Sequence, residues 1–519
     1  MGASAISTDD SGASVTTADL YPEADLHRLQ NAVRVLLSGV GENISREGLQ
    51  DTPKRVAKAW VDVSSGYRQD LHSVLGGAIF HEPIVSEGSG SMVIVRDIEF
   101  ASTSEANLLP FYGRCHVAYV PSNGVVLGLS KLARVTKLFA SQLQSQQRLT
   151  SQILVSLEQE LAPKGVAIVM EAHHLAHGPE ADLFMTSASS GCFQDISSSC
   201  MQELLCMLQL HGTPVPPSAL PRVPKESSTL LPRLSSSSSS PHPSDRPRAC
   251  HDQNVKFMSS MGSRRIFARN GGSGTVASVH HFQLEDTATT MDADDCATQS
   301  TVQDMEAAVA VILQEIGEDI ERPELQGTPQ RYVQLLLAST SGAKQQPLPD
   351  FHQQLMQAQS ASSPHGCMSR DTDMPAAASH MDACAEPSTP EMQEWHVQFA
   401  SQCEHHMLPF HGMAHIIIVH SSHSQKLTLE QVKVLILSFS HRLQIQERLT
   451  NQLADAIQLV TGAVGCVITC EASHMCMVAR GVEKHASSTI TLASRGLAAQ
   501  DSVLRGKLLL RLSQKRISV

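Results

Sequence analysis

The stretch LHRLQNAVRVLLSGVGENISREGLQDTPKR, residues 26–55, returns as VQDMEAAVAVILQEIGEDIERPELQGTPQR, residues 302–331. Arg55 falls on Arg331, an offset of 276. So long a self-match marks an internal repeat, and the chain divides into two related halves. Apolar residues recur at helical spacing from Leu26 to Gly39, and Thr52-Pro53 opens a second helix because proline suits a first turn.

Outward from there, FASTSEANLLPFYG (residues 100–113) matches FASQCEHHMLPFHG (residues 399–412) at an offset of 299. The 23 additional residues fall in a Gln-, Ser-, Ala- and Pro-rich stretch at about 342–390. It lacks apolar periodicity and reads as a disordered insertion. Pairing resumes at an offset of 300, with LQSQQRLTSQ (143–152) on LQIQERLTNQ (443–452) and VMEAHH (169–174) on TCEASH (469–474). Between the copies, residues 194–300 include SSSSSSPHPSDRPR and carry too little apolar surface to fold alone, so they read as a tether. The expected division is a tail at 1–25, a first domain at 26–193, the tether, and a second domain at 301–519. Within each half FYGRCHVAYVP or FHGMAHIIIVH, and KGVAIVMEAHH or VGCVITCEASH, have strand character. In the first copy two helices, from about Leu129 and about Arg148, lie between them, which predicts α+β domains of antiparallel sheet packed by helices.

A net charge of -12 over 519 residues leaves no basic excess to displace phosphate counterions, which excludes a general nucleic-acid binder but not a local anion pocket. No apolar run reaches the roughly 18 residues of a membrane span. The first 25 residues contain Asp9, Asp10, Asp19, Glu23 and Asp25 and neither Lys nor Arg, unlike a secretory or transit peptide. With Ile6 where myristoylation needs Ser or Thr, a cytosolic address is expected. Twelve cysteines without dense regular spacing suit reduced thiols better than a disulfide scaffold.

Two cysteines and a histidine of the second half form a metal pattern. Cys403 and His406 precede one strand of the second half, and Cys476 follows another about seventy residues later. Two thiolates and an imidazole hold zinc with a fourth position left for water, which the metal acidifies to about pH 7. Cys-x-x-His alone is as often an ordinary buried pair. The first copy has Ser104, Asn107 and Ala176 at the aligned positions, so the three ligands are absent together, as residues that work as a set would be.

At CEHHMLPFHG, LQIQERLTNQ and EASHMCMVARGV, and at GLSKLAR in the first half, the chain resembles GTP cyclohydrolase I, in the tandem two-domain form of plants and algae. The resemblance implies two T-fold domains and an enzyme that opens the imidazole ring of GTP. Formate leaves and 7,8-dihydroneopterin triphosphate forms, the entry to pteridine and folate synthesis. It implies zinc on Cys403, His406 and Cys476, with His405 and His474 as the catalytic histidines that protonate N7 and shuttle protons. Orienting the metal ligands from outside, without touching the substrate, is the other reading of His405. Gln446 and Glu447 match the guanine-recognition pair, where the first copy has Gln147 in place of Glu447.

Ser130, Lys131 and Arg134 match the family's triphosphate motif at a helix start, where free N–H groups and the helix dipole favour anions. The second copy has Leu429, Glu430, Gln431 and Val434 in that region, and a glutamate there repels phosphate. Arg480, opposite Glu180, matches a phosphate-binding arginine; Arg55 and Arg331 remain in TPxR, while Lys58 is matched by Gln334. Neither half is complete and the missing parts are complementary. A composite site is expected, within one chain or between chains of a homo-oligomer, with GTP as substrate and no nucleic-acid or membrane partner. A non-catalytic tandem protein that binds nucleotide or zinc is the competing reading, and a hydrolase for another purine the third.

Overall fold

The structure is a computed structural model and describes residues 25–82, 92–177, 183–213, 295–344, 391–481 and 487–516. Helix α1 (Leu26–Gly39) starts where the Asp25 carboxylate accepts from the His27 and Arg28 N–H groups. It buries Leu29, Val33, Leu36 and Leu37 along one stripe. Then come α2 (Thr52–Val63), with Pro53 in its first turn, the short α3 (Leu71–Leu75) and β1 (Ile79–His81). The rest of the first half is β2 (Val93–Ser104), β3 (Pro110–Val120), β4 (Val125–Leu127), α4 (Leu129–Ala140), β5 (Leu143–Gln144), α5 (Gln146–Leu161), β6 (Gly165–His174), β7 (Phe184–Ser189) and α6 (Ser199–Leu210).

The second half repeats this plan. It comprises α7 (Asp295–Glu315), α8 (Thr328–Ser339), β8 (Met392–Cys403), β9 (Pro409–Val419), α9 (Leu429–Ser440), β10 (Leu443–Gln444), α10 (Gln446–Thr461), β11 (Gly465–His474), α11 (Met475–Val478), β12 (Thr489–Gly496), α12 (Leu497–Gln500) and α13 (Ser502–Arg516). None of the described helices is long and apolar enough to cross a membrane.

Each half is a five-stranded sheet, in the order β5-β2-β3-β6-β7 or β10-β8-β9-β11-β12. The long strands pair antiparallel, while the two-residue β5 and β10 join β2 and β8 in parallel. One sheet face is covered by helices: Phe111, Val117, Leu132, Leu149 and Ile153 are buried in the first core, and Phe410, Ile416, Leu435 and Leu453 in the second. The alternation of the strands and the helical stripes thus meet as the α+β reading requires. Gly113 and Gly412 close the LPF-x-G motif on β3 and β9. A Cβ there would lie 1.9 Å from Glu171 O and 1.8 Å from Glu471 O, so the strand crossing admits only glycine.

The halves share a further core. Leu29, Leu36 and Trp60 of the first half pack in one cluster with Val309, Ile312 and Leu336 of the second, with Leu143 and Leu443 from the two sheets, and with Leu108 and Met407 from the turns that follow Ser104 and Cys403.

Two expectations change. Residues 199–210, assigned to the tether, form α6, capped by Ser198 and packed through Met201, Leu204, Leu205 and Leu208 on Ala118 and Ala167 of the first sheet. The second half begins with α7 at Asp295, before residue 301. The tail to residue 24, the rest of the tether, the insertion from 345 to 390 and Glu180 lie outside the described residues.

Candidate active site

The turn between β8 and β9 is built by Met407 N–H donating to Cys403 O at 2.8 Å and Cys403 N–H to Leu408 O at 2.9 Å, with Met407 left-handed at φ 51°. It projects Cys403 and His406 to one side. Pairing of His474 with Phe410 brings the end of β11 beside that turn, and α11 then carries Cys476. One donor atom from each of Cys403, His406 and Cys476 lies within 4.8 Å of the others. Cys403 Sγ and His406 Nδ1 are 3.9 Å apart, close to the roughly 3.6 Å between tetrahedral sulfur and nitrogen ligands of zinc.

The electrostatics favour a thiolate. A hydrogen bond from the Cys476 thiol holds Cys403 far below the ordinary thiol range; burial opposes this, and His405, His406 and His474 add to it. Cys476, the donor, is pushed up by the same bond and by burial. His405 is raised, first by its hydrogen bond to Cys403. His474 stacks on Phe410 with ring centroids 4.7 Å apart and 6° between planes, and its Nε2 lies 2.8 Å from Gln446 Oε1. A thiolate, a thiol and an imidazole, with two further histidines beside them, suit a soft divalent cation such as zinc.

The other half reaches into this cluster. Thr52 Oγ1, at the start of α2, donates to Glu404 O at 2.8 Å. Arg46 Nη1 lies 2.7 Å from Glu404 Oε2, which also takes both terminal nitrogens of Arg448 at 2.8 and 2.7 Å. Burial works against the Glu404 charge, but the Arg448 and Arg46 guanidiniums outweigh it and hold the carboxyl below its usual range. Arg55, one turn on from Thr52, stands near enough to His405 to oppose its protonation.

A mirrored contact runs the other way. Thr328 Oγ1 donates to Glu105 O at 2.7 Å, and Arg322 and Arg148 meet the Glu105 carboxylate at 2.8 and 2.9 Å. There, however, the turn carries no ligands. Asn107 Oδ1 accepts from Leu109 N–H and Ser104 Oγ from Ala106 N–H, so both side chains are spent on the turn itself. Arg331 donates to Ala106 O, Gln326 O and Thr328 Oγ1, bound up where Arg55 has a histidine to face.

Of the remaining residues, Arg480 donates through Nε to Cys476 O at 2.7 Å, which ties it to the cluster. Glu447 is exposed in the first turn of α10, and its carboxylate accepts no hydrogen bond among the described residues. Gln446 is buried, with both ends of its amide engaged inside the protein. Ser130 and Arg134 are exposed, and Lys131 Nζ donates to Val74 O at 2.8 Å. No side chain caps the start of α4, whereas Thr428 and Gln431 close the start of α9 with a capping box and Glu430 beside it. No hydrogen bond or ion pair among the described residues joins Ser130, Lys131 or Arg134 to the Cys403 cluster.

The carboxylate-arginine networks escaped the sequence reading. Their signal was available: Arg46 and Arg322, Glu105 and Glu404, and Arg148 and Arg448 occupy matching places in the repeat.

Comparison with known proteins agrees with the repeat. The family model of GTP cyclohydrolase I matches twice, over residues 29–206 and 305–513. GTP cyclohydrolase 1 of Solanum lycopersicum is 31% identical over 498 residues, 93% of this chain and 91% of the relative. That of Arabidopsis thaliana is 30% identical over 502 residues, 93% of this chain and 89% of the relative. GTP cyclohydrolase 1 of Deinococcus radiodurans is 50% identical over 149 residues, 29% of this chain and 66% of the relative. With both halves matched in tandem, each a sheet packed by helices, the chain belongs to the GTP cyclohydrolase I family, in its two-domain T-fold form.

Proposed function

We propose that this chain hydrolyses the imidazole ring of GTP, releases formate and forms 7,8-dihydroneopterin triphosphate. The observation that carries the reading is the convergence of Cys403, His406 and Cys476 with His405, His474 and, from the other half, Arg55. Cys403, His406 and Cys476 would hold zinc, whose Lewis acidity lets water act as a nucleophile near neutral pH.

The protein's own groups do the rest. His405, raised by Cys403, holds a proton for the purine N7. His474, fixed against Phe410, serves the second proton transfer during ring opening. Glu447 has a carboxylate open to accept from guanine N1 and the 2-amino group. Arg55 and Arg480 approach the cluster with positive charge for the triphosphate, while Arg331 is spent on its own turn.

Ser130, Lys131 and Arg134, at an uncapped helix start, complete the phosphate side. Because no hydrogen bond or ion pair among the described residues joins them to the cluster, we assign them to the site of a neighbouring copy, in a homo-oligomer. The test is to incubate zinc-loaded protein with GTP and follow formate and the fluorescent pterin. Turnover by wild type, abolished in Cys403→Ala, supports the reading, and no turnover by zinc-replete wild type refutes it.

A further inference from the structure

We infer that Gln446 is a positioning residue that fixes the tautomer of His474, and not a contact for the purine. The assignment follows from what its amide touches. Gln446 Nε2 lies 2.8 Å from Cys470 O on β11 and 2.9 Å from Thr489 O on β12. Carbonyl oxygens only accept, so the end of the amide that faces them is the NH2 and both of its protons are committed. The other end is therefore the carbonyl Oε1, and it stands 2.8 Å from His474 Nε2. An amide oxygen also only accepts. His474 must place its proton on Nε2, which leaves Nδ1 as the lone-pair nitrogen of the neutral ring.

Rotation does not offer an escape. A half-turn of the imidazole would present carbon to Gln446 Oε1, and the stacking on Phe410 at 4.7 Å holds the ring plane. Gln446 is itself buried at 2% exposure, with both amide protons committed to backbone carbonyls and its Oε1 turned to His474.

The first half contains the same clamp, with Ser104, Asn107 and Ala176 where the second has Cys403, His406 and Cys476. Gln146 Nε2 donates to Met170 O at 3.1 Å and Phe184 O at 3.0 Å, and Gln146 Oε1 lies 2.9 Å from His174 Nε2. His174 stacks on Phe111 at 4.7 Å with 2° between planes. The fold thus builds the clamp whether or not ligands follow it, and the first copy serves as an internal control for its structural share.

The catalytic consequence rests on the function proposed above; the tautomer does not. Full-length Gln446→Met and Gln146→Met should lose similar thermal stability, because the two clamps are alike. With zinc-loaded protein and GTP, Gln446→Met should lower kcat by about 10–100-fold with KM little changed, the range for removing a residue that orients an active histidine. Gln146→Met should keep wild-type kcat. Independently of turnover, 15N-histidine spectra should show the His474 pair, identified by its loss in His474→Asn, as protonated at Nε2 and unprotonated at Nδ1. In Gln446→Met the two shifts should average. A wild-type His474 protonated at Nδ1 or averaged between tautomers overturns the inference, as does a Gln446→Met enzyme whose KM rises while kcat holds. Should wild type fail to turn over GTP, the functional proposal falls and the 15N spectra alone decide this one.

Discussion

Arg46 Nη1 stands 2.7 Å from Glu404 Oε2 although 358 positions separate the two residues. The pair is repeated in reverse by Arg322 and Glu105. Each half therefore anchors its entry helices on the β-turn of the other, and of the two turns it is the second that carries Cys403 and His406, which could hold a metal.

Removing Glu404 leaves Arg448 without its carboxylate and Arg46 with Glu42 alone. Glu404→Ala should cost about 2–3 kcal/mol, less than for a fully buried pair because the arginine side chains keep 30% and 33% exposure. It should also loosen the turn that holds Cys403. Glu105→Ala should destabilise by a similar amount and leave zinc content unchanged. Urea unfolding with metal analysis checks both; equal zinc loss in the two variants would show that the halves are not separate in this respect.

The two TPxR arginines should behave differently. Arg55→Ala should lower kcat/KM for GTP by about 10–100-fold, the effect of losing a charge-assisted hydrogen bond. Arg331→Ala should leave turnover within about twofold and show mainly as a small loss of stability, since Arg331 bonds its own turn and Ala106 O. Steady-state kinetics on both variants decides it, and equal catalytic losses would contradict the assignment.

The organisation of the halves was legible where the signal is local. Apolar periodicity placed α1, Pro53 placed the start of α2, and the apolar segments that follow the LPF turns placed β3 and β9. The grouping of Cys403, His406 and Cys476 was legible because the three positions change together between copies. The two-residue parallel strands β5 and β10 leave no pattern, being set by tertiary hydrogen bonds. Helix α6 was hidden by its Ser-rich approach, Ser197–Ser198–Ser199, although Met201, Leu204, Leu205 and Leu208 form an apolar stripe. The crossing of Thr52 onto Glu404 spans 352 positions, a distance at which spacing says nothing. Resemblance placed Gln446 on the guanine, and only the carbonyls around its amide reveal the clamp it forms on His474.

Stability should fall on mild acidification through His411. Burial, with His173 and His474 nearby adding to it, pushes this imidazole down to about 4. The folded protein then resists a proton that the unfolded chain accepts below its ordinary value of 6.5. The loss should run from about pH 6.5 down to about pH 4, with a slope of at most about 1.4 kcal/mol per pH unit from this group. His411→Gln should flatten that part of the profile in urea titrations at several pH values. An unchanged slope would remove His411 as its source.

Metal removal should separate the halves. Chelation should abolish turnover, and added zinc should restore it, with the retained metal following Cys403 and Cys476. Ser104→Ala, in the empty counterpart, should leave zinc content unaltered.

The division of one site between the halves of neighbouring chains is tested most directly by co-expressing Cys403→Ala with Lys131→Ala. Each variant alone should be nearly inactive on GTP. Mixed oligomers should recover about a quarter of wild-type turnover, because random assortment in a symmetric assembly pairs an intact zinc cluster with an intact Lys131 at about that frequency. Mixed oligomers no more active than the separate variants, or a fully active Lys131→Ala enzyme, would contradict the account.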